Sequence, residues 1–424
     1  MGTRIMEVRC RLIIFFHNRK GSTSQNRGII FQTSSSMESN ASGTAGKPIR
    51  CRAAVCRRAG EPLVMEEIQV EPPKAWEVRI RIVCTSICHT DVTFWKMDSA
   101  PFALFPRIFG HEAVGVVESV GEKVEEVKAG DTVLPVFWSN CEKCRDCESS
   151  RGNACSVFAN QRPGSGMPRD GTTRFSGAND GEAIHHFLGV SSFCEYTVVD
   201  VAHVVKISSP IPANRACLLS CGVSTGVGGA WKVADVEPGS SVVIFGLGVV
   251  GLAVAEGARR RGASKIVGVD LNPDKFEIGK KFGITDFVNP GACGERPISE
   301  VIKEMTDGGA DYSFECVGLA SVMADAFNSS REGGGKTVIL GVEMRGAPLS
   351  LGSYEILRGR TVVGSFFGGL KPKSDVPILA QKYLDQELNL DDFITQEVSF
   401  QDINTAFDLL LQGKSLRCIV WMDR

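Results

Sequence analysis

Four thiols stand close together at Cys141, Cys144, Cys147 and Cys155, spaced C-x2-C-x2-C-x7-C. Thiolates at such spacing can close a tetrahedron around one cation, the structural zinc pattern, which leaves no open position for chemistry. An iron–sulfur cluster is the competing reading, because C-x2-C-x2-C also opens bacterial ferredoxin runs. The fourth spacing does not fit that reading, and no proline follows Cys155. A second donor set is dispersed: Cys88 in Cys88-His89-Thr90-Asp91, His111 in Gly110-His111-Glu112, and Cys221 in Ser220-Cys221-Gly222. Two thiolates and one imidazole leave the fourth zinc position free, which is the catalytic arrangement. Spacing alone does not separate this trio from two core cysteines and a packed histidine.

A third chemistry is written in Gly246-Leu247-Gly248-Val249-Val250-Gly251. An apolar strand-like run precedes it and a helical pattern follows. The first glycine permits a tight turn. The second lets the backbone approach a pyrophosphate, whose charge the helix N-terminus favours. Val267-Gly268-Val269-Asp270 ends the next strand, and Asp270 stands 19 residues past Gly251. That is the place of an acid that accepts ribose hydroxyls. A carboxylate there suits NAD and repels a 2′-phosphate.

These groups need two kinds of scaffold. From about 51 to 205, short alternating segments split by Gly and Pro predict an antiparallel barrel or sandwich. The clearest are 78–83 and 113–120, with 133–137 less strict. From 240 onward, apolar strands at 241–246, 265–270, 285–289, 311–316, 336–342 and 361–367 alternate with helical segments, as in a doubly wound parallel sheet. Asn272 followed by Pro273 predicts a helix start, with proline at the first helical position. The run 417–421 reads as a strand that returns to the first domain.

Composition bounds the rest. A length of 424 residues, 43% hydrophobic and 23% charged, predicts two domains with ordinary cores. The balance of 47 basic against 49 acidic residues argues against a strongly basic nucleic-acid binder. No uninterrupted apolar run is long enough for a membrane-spanning helix. Fifteen cysteines in a chain this long do not suggest a disulfide framework. Cys217, Cys316 and Cys418 read as small buried hydrophobes. His185 and His186, adjacent in a strand, would face opposite sides and read as packing, not as a metal pair. Residues 1–36 hold six basic residues and one acid with clustered serines, so they resemble a transit peptide. Met37 begins a second, ordinary-looking start, and residues 1–48 are expected to be a disordered extension outside the fold.

The Cys88–Asp91 and Gly110–Glu112 motifs, the 141–155 lobe, Cys221 and the glycine run resemble, in order and spacing, the zinc-dependent medium-chain alcohol dehydrogenases. The likeness runs from about 49 to the C-terminus. Thr90, Phe137, Glu315-Cys316-Val317-Gly318 and Phe367-Gly368-Gly369 look most like the plant alcohol dehydrogenase-like branch. The resemblance implies an α/β fold with a β-rich part. A GroES-like catalytic domain (49–222) is interrupted by a Rossmann coenzyme-binding domain (223–366) and completed by 367–424. It implies NAD, two zinc ions per subunit, a small-molecule alcohol or aldehyde substrate and a cytoplasmic homodimer, with no nucleic-acid or membrane partner.

Roles carry over by position. Cys88, His111 and Cys221 match catalytic zinc ligands, and Cys141, Cys144, Cys147 and Cys155 match structural zinc ligands. Thr90 matches the hydroxyl that passes the alcohol proton, and Asp91 and Glu112 match acids behind the metal. His89 and Arg417 match residues at the coenzyme pyrophosphate. Asp270 and Lys275 match adenosine ribose contacts, and Val250 matches the wall behind the nicotinamide. Thr225, Gly246, Gly248 and Gly251 match further coenzyme positions. Phe137, Phe187 and Leu188 match the substrate pocket. Two positions depart from the pattern. Thr93 stands where many members end the proton relay in His or Tyr. Ala159 stands where glutathione-dependent formaldehyde dehydrogenases carry Arg, which argues against that activity. The expected function is reversible hydride transfer between a primary or secondary alcohol and NAD. A catalytically silent NAD-binding protein is the rival from another class.

Overall fold

The computed structural model describes residues 43–158 and 166–423. The extension through residue 42 and Ala159 lie outside the described residues.

The β-rich part consists of two sheets. The smaller runs in the order Arg107–Ile108, Ile49–Cys56, Val64–Val70, Phe175–Gly177, Ala183–Ile184. The larger runs Val204–Lys206, Thr132–Pro135, Glu112–Val120, Glu77–Ser86, Arg417–Trp421, Ile394–Ser399, with Tyr196–Asp200 also paired to Glu77–Ser86. The segments expected at 78–83 and 113–120 form its antiparallel centre, from Val78 opposite Val120 to Ser86 opposite Glu112. The weaker segment expected at 133–137 stops at Pro135. Arg417–Trp421 pairs antiparallel with Glu77–Ser86, so the C-terminus does return to this sheet.

Strand Glu77–Ser86 alternates apolar and polar residues, yet it is buried along nearly its whole length. Arg79 is fully buried. It bonds Glu118 at 2.6 Å, the Lys47 carbonyl at 2.7 Å and the Thr44 carbonyl at 2.8 Å. The expectation that the fold excludes everything through residue 48 is corrected here, because the Thr44 and Lys47 carbonyls accept from the two terminal nitrogens of a buried guanidinium.

The second part is a six-stranded parallel sheet. Its order is Asp286–Val288, Lys265–Val269, Ser241–Phe245, Tyr312–Glu315, Lys336–Ile339, Thr361–Gly364. In chain order this is 3-2-1-4-5-6, the doubly wound arrangement, and the order reverses between Ser241–Phe245 and Tyr312–Glu315. A ligand crevice therefore opens at the carboxyl ends of those two strands. One helix start is corrected. Asn272 Oδ1 accepts from the Asp274 amide at 3.0 Å, and the helix begins at Lys275, not at Pro273. Asn272 thus closes a turn before the helix, a local bond that competes with capping.

Helix Gly222–Gly228 joins the two parts, and its glycines set the distance. A Cβ on Gly226 would stand 2.3 Å from the Val250 carbonyl, and one on Gly222 would stand 3.1 Å from Val249 Cγ1. The residues before and along this helix are thereby held directly against helix Val249–Arg260.

Candidate active site

Three separate elements bring the dispersed donors together. Cys88 caps helix His89–Trp95, His111 immediately precedes strand Glu112–Val120, and Cys221 immediately precedes helix Gly222–Gly228. The ligand atoms of Cys88, His111, Glu112 and Cys221 all lie within 4.8 Å of one another, and all four residues are buried. Gly110 makes the approach possible. Its φ is +92°, and a Cβ there would stand 2.4 Å from Ser192 Oγ. No side chain fits at that turn.

Asp91, fully buried, organises the trio. One of its oxygens takes His111 Nδ1 at 2.9 Å and the Gly110 amide at 3.1 Å; the other takes the Cys88 amide at 3.0 Å. A carboxylate at Nδ1 assigns the proton to that nitrogen and leaves a lone pair on Nε2. Nε2 is buried and has no hydrogen-bond partner among the described residues. A bare acceptor beside two sulfurs is what a metal ligand presents, so the donor set fits zinc. The two sulfurs and the imidazole influence one another strongly. The Cys221 hydrogen bond, against the opposing effect of burial, holds Cys88 well below the usual thiol range, with Arg417 helping. The same bond, with burial, pushes Cys221 up. Burial would lower His111, yet Asp91 and the Cys88 sulfur raise it, so Nε2 sits where positive charge is favoured and a cation there would take the place of a second ring proton.

Glu112 and Arg417 form a buried fork behind the trio. Arg417 donates to both Glu112 oxygens at 2.7 Å and reaches Cys88 Sγ at 3.3 Å. Glu112 also accepts from Ser86 Oγ and, at 3.3 Å, from the Gly222 amide. Its oxygens are thus committed to Arg417, Ser86 and Gly222. In this structure Arg417, expected at a pyrophosphate, grips Glu112 and is itself buried.

The crevice carries the glycine run. Gly246 has φ +91°, so the turn needs glycine. A Cβ on Gly251 would stand 1.9 Å from the Gly246 carbonyl, whereas one on Gly248 would meet nothing within 4 Å. Gly251 therefore lets helix and turn pack, and Gly248 leaves open space beside the N-terminus of Val249–Arg260, where an anion can approach the backbone. Asp270 Oδ2 accepts from the Leu247 amide at 2.8 Å and Lys275 Nζ at 2.9 Å, and Oδ1 accepts from the Asn272 amide at 2.9 Å. The acid thus sits at the glycine turn with acceptor capacity left on Oδ1. Val250 is half-buried and Thr225 buried, with Thr225 in the helix that begins after Cys221. His89 is exposed and Thr90 half-buried in the first turn after Cys88. Thr93 Oγ1 donates to the His89 carbonyl at 2.9 Å.

Aromatic rings wall the trio. Phe137 and Phe187 each stand edge-on to His111 with centroids 5.9 Å apart. Phe137 is half-buried, but Phe187 is fully buried against Phe94 and Phe109. Leu188 is half-buried, with a left-handed φ of +49°. His186 packs as expected. Its ring stacks on Phe175 at 4.3 Å, and its Nε2 accepts from the Arg174 amide at 3.1 Å.

The four lobe thiols also converge, with all sulfurs within 4.8 Å of one another. Cys141 and Cys147, and likewise Cys144 and Cys155, are 3.9 Å apart. Zinc–sulfur bonds of about 2.3 Å give a tetrahedron with edges of roughly 3.8 Å. The fit to one zinc is close, and the spacing is far beyond a disulfide. Burial opposes ionisation of Cys144, but hydrogen bonds from Ser156 and Cys147 bring it down to about 5, while burial and the Cys144 neighbour push Cys147 up to about 12. Lys371 Nζ ties the lobe down through the Cys147 and Ser149 carbonyls at 2.6 and 2.7 Å.

Sequence reasoning did not find the Glu112–Arg417 fork, the Gly222/Gly226 contact or Phe94 and Phe109 beside the pocket. Of these only the glycines left a signal, their i, i+4 spacing on one helix face.

The family model for the alcohol dehydrogenase GroES-like domain matches residues 74–209, and that for zinc-binding dehydrogenases matches 249–385. Alcohol dehydrogenase-like 2 of Arabidopsis thaliana is 66% identical over 384 residues, covering 91% of this chain and 99% of the relative. Alcohol dehydrogenase 1 of Petunia hybrida is 51% identical over 382 residues, covering 90% and 99%. Among solved structures, benzyl alcohol dehydrogenase from Acinetobacter calcoaceticus superposes with a TM-score of 0.78 at 28% identity, covering 88% of this chain and 99% of that one. The chain belongs to the zinc-dependent medium-chain alcohol dehydrogenase family, in its plant alcohol dehydrogenase-like branch.

Proposed function

We propose that this chain is an NAD-dependent zinc alcohol dehydrogenase. It moves a hydride reversibly between a primary or secondary alcohol and NAD, giving an aldehyde or ketone and NADH, with two zinc ions per subunit. The observation that carries the reading is the bare, buried His111 Nε2 grouped with the sulfurs of Cys88 and Cys221. The glycine turn in the adjoining crevice and relatives named alcohol dehydrogenases support it.

Zinc at the trio supplies a Lewis acid for the alcohol oxygen, and NAD supplies the hydride acceptor. The chain's own residues do the rest. Asp91 fixes the His111 tautomer and turns its lone pair toward the thiols. Arg417 offsets the negative charge of Glu112 and Cys88 without leaving a buried carboxylate unpaired. Thr90, two residues past Cys88, is the hydroxyl that receives the alcohol proton. Thr93 does not replace a relay histidine, since a neutral hydroxyl is a poor base; its own proton is donated to the His89 carbonyl. Phe137 and Phe187 keep water off the His111 face. Gly222 and Gly226 hold Cys221 at a fixed reach from Val250, and so from the place where the nicotinamide would lie.

Absorbance of NADH over a panel of primary and secondary alcohols tests the reading. Formation with NAD, much weaker formation with NADP and loss on chelation are expected. No NADH from any alcohol overturns it. A homodimer is part of the same proposal. Strand Thr361–Gly364 ends the parallel sheet, with exposed Tyr354, Leu357 and Phe366 flanking it in sequence. Sedimentation as a monomer at micromolar concentration contradicts it.

A further inference from the structure

At the carboxyl end of strand Tyr312–Glu315 the chain buries a carboxylate completely. Glu315 Oε1 accepts the amides of Val317 at 2.9 Å and Gly318 at 2.7 Å. Oε2 has no hydrogen-bond partner among the described residues and lies against Gly341, where a Cβ would stand 2.5 Å from it. Burial pushes the Glu315 pKa up, and the backbone amides around it pull it back. A buried carboxylate is costly, and here that cost is offset by backbone amides, chiefly those of the turn that follows the strand.

The turn it holds stands at the crevice. A Cβ on Gly246 would lie 2.7 Å from Val317 Cγ2, so this turn touches the first glycine of the dinucleotide run. Gly318 has φ +88°, and a Cβ there would lie 2.6 Å from the Val342 carbonyl. Three backbone segments therefore meet at the carboxyl ends of neighbouring strands, where the sheet order reverses and a ligand is expected. Val317 and Val342 are both exposed there.

We propose that Glu315 is a positioning residue for the dinucleotide: its carboxylate clamps the Val317 and Gly318 amides and so fixes the crevice wall opposite the glycine turn. This rests on the coenzyme reading above. Without the clamp the turn must be ordered when coenzyme binds, and that cost appears in coenzyme affinity, not in the metal trio.

The test combines NADH titration by fluorescence, amide hydrogen exchange of the coenzyme-free chain and zinc analysis, on wild type, Glu315→Ala and Glu315→Gln. Glu315→Ala is expected to weaken NADH about tenfold, and Glu315→Gln about threefold because its amide oxygen still accepts. Both should speed exchange at Val317 and Gly318 and leave zinc content unchanged. Wild-type affinity in the variants, or weaker affinity with wild-type exchange at those two amides, overturns the proposal. If Glu315→Ala does not fold, Glu315→Gln decides by the same two readouts. A wild-type chain that fails to bind NADH removes the coenzyme reading and this inference with it. Tight wild-type binding with indifferent variants removes this inference alone.

Discussion

The lobe and the trio are both thiol-rich, yet they are built by opposite logic. The lobe takes four sulfurs from residues 141 to 155, and the sulfurs face one another. The trio takes its donors from positions 88, 111 and 221 and keeps one buried imidazole nitrogen with nothing bonded to it. A closed set of four donors is a staple, so losing one should weaken the fold. A set of three with a bare corner is a tool, so losing one should stop chemistry and spare the fold.

That contrast can be broken or sharpened by substitution. The largest effect is expected from Cys88→Ala. Turnover should fall about 10⁴-fold or more, because the metal's stabilisation of developing charge is worth several kcal/mol. One zinc of two should go, while NADH binding and the melting temperature stay near wild type. A melting temperature that collapses would erase the distinction. Cys147→Ala should act the other way, lowering stability by several kcal/mol in chemical denaturation, since structural zinc binding is folding energy. Turnover per folded molecule should change little. Asp91→Asn should lower activity or metal affinity by about 10- to 100-fold, the usual weight of a group that orients a ligating histidine. Equal kinetics in wild type and variant would remove Asp91 from the account.

The smallest effect comes from comparing two buried histidines. His111 has an acid on one nitrogen, but His186 has none, and burial with the nearby Arg174 pushes its pKa down to about 3. A folded-state value below the unfolded ~6.5 means the contribution is full above that pH and is lost as pH falls toward 3. Between about pH 7 and pH 5, wild type should lose about 2 kcal/mol more stability than His186→Gln, which keeps an acceptor for the Arg174 amide. Parallel losses measured by urea unfolding would contradict the assignment.

What the sequence shows follows the same divide. The lobe and the glycine run were legible because each is complete within one short stretch and each has a turn chemistry of its own. The six parallel strands were legible because buried strands alternate with helices. The trio was not decided by spacing, since only the sheet register and the Gly110 turn bring His111 to Cys88. The Glu112–Arg417 fork joins residues 305 apart, which no periodicity reports. The burial of Arg79 was not legible, because alternation cannot tell an exposed face from one covered by the 43–48 segment. Asn272 looked like a cap, but local turn bonding won. Phe187 stands edge-on to His111 but is itself buried among Phe94 and Phe109, and those two rings are a matter of side-chain packing and not of pattern.

Zinc stoichiometry followed through chelation, with turnover recorded on the same samples, tests the open-corner trio most directly. The account predicts two zincs per chain. One should leave to a chelator in step with activity, and the second should leave only when the chain unfolds. A single zinc, or activity that survives departure of the first, would contradict it.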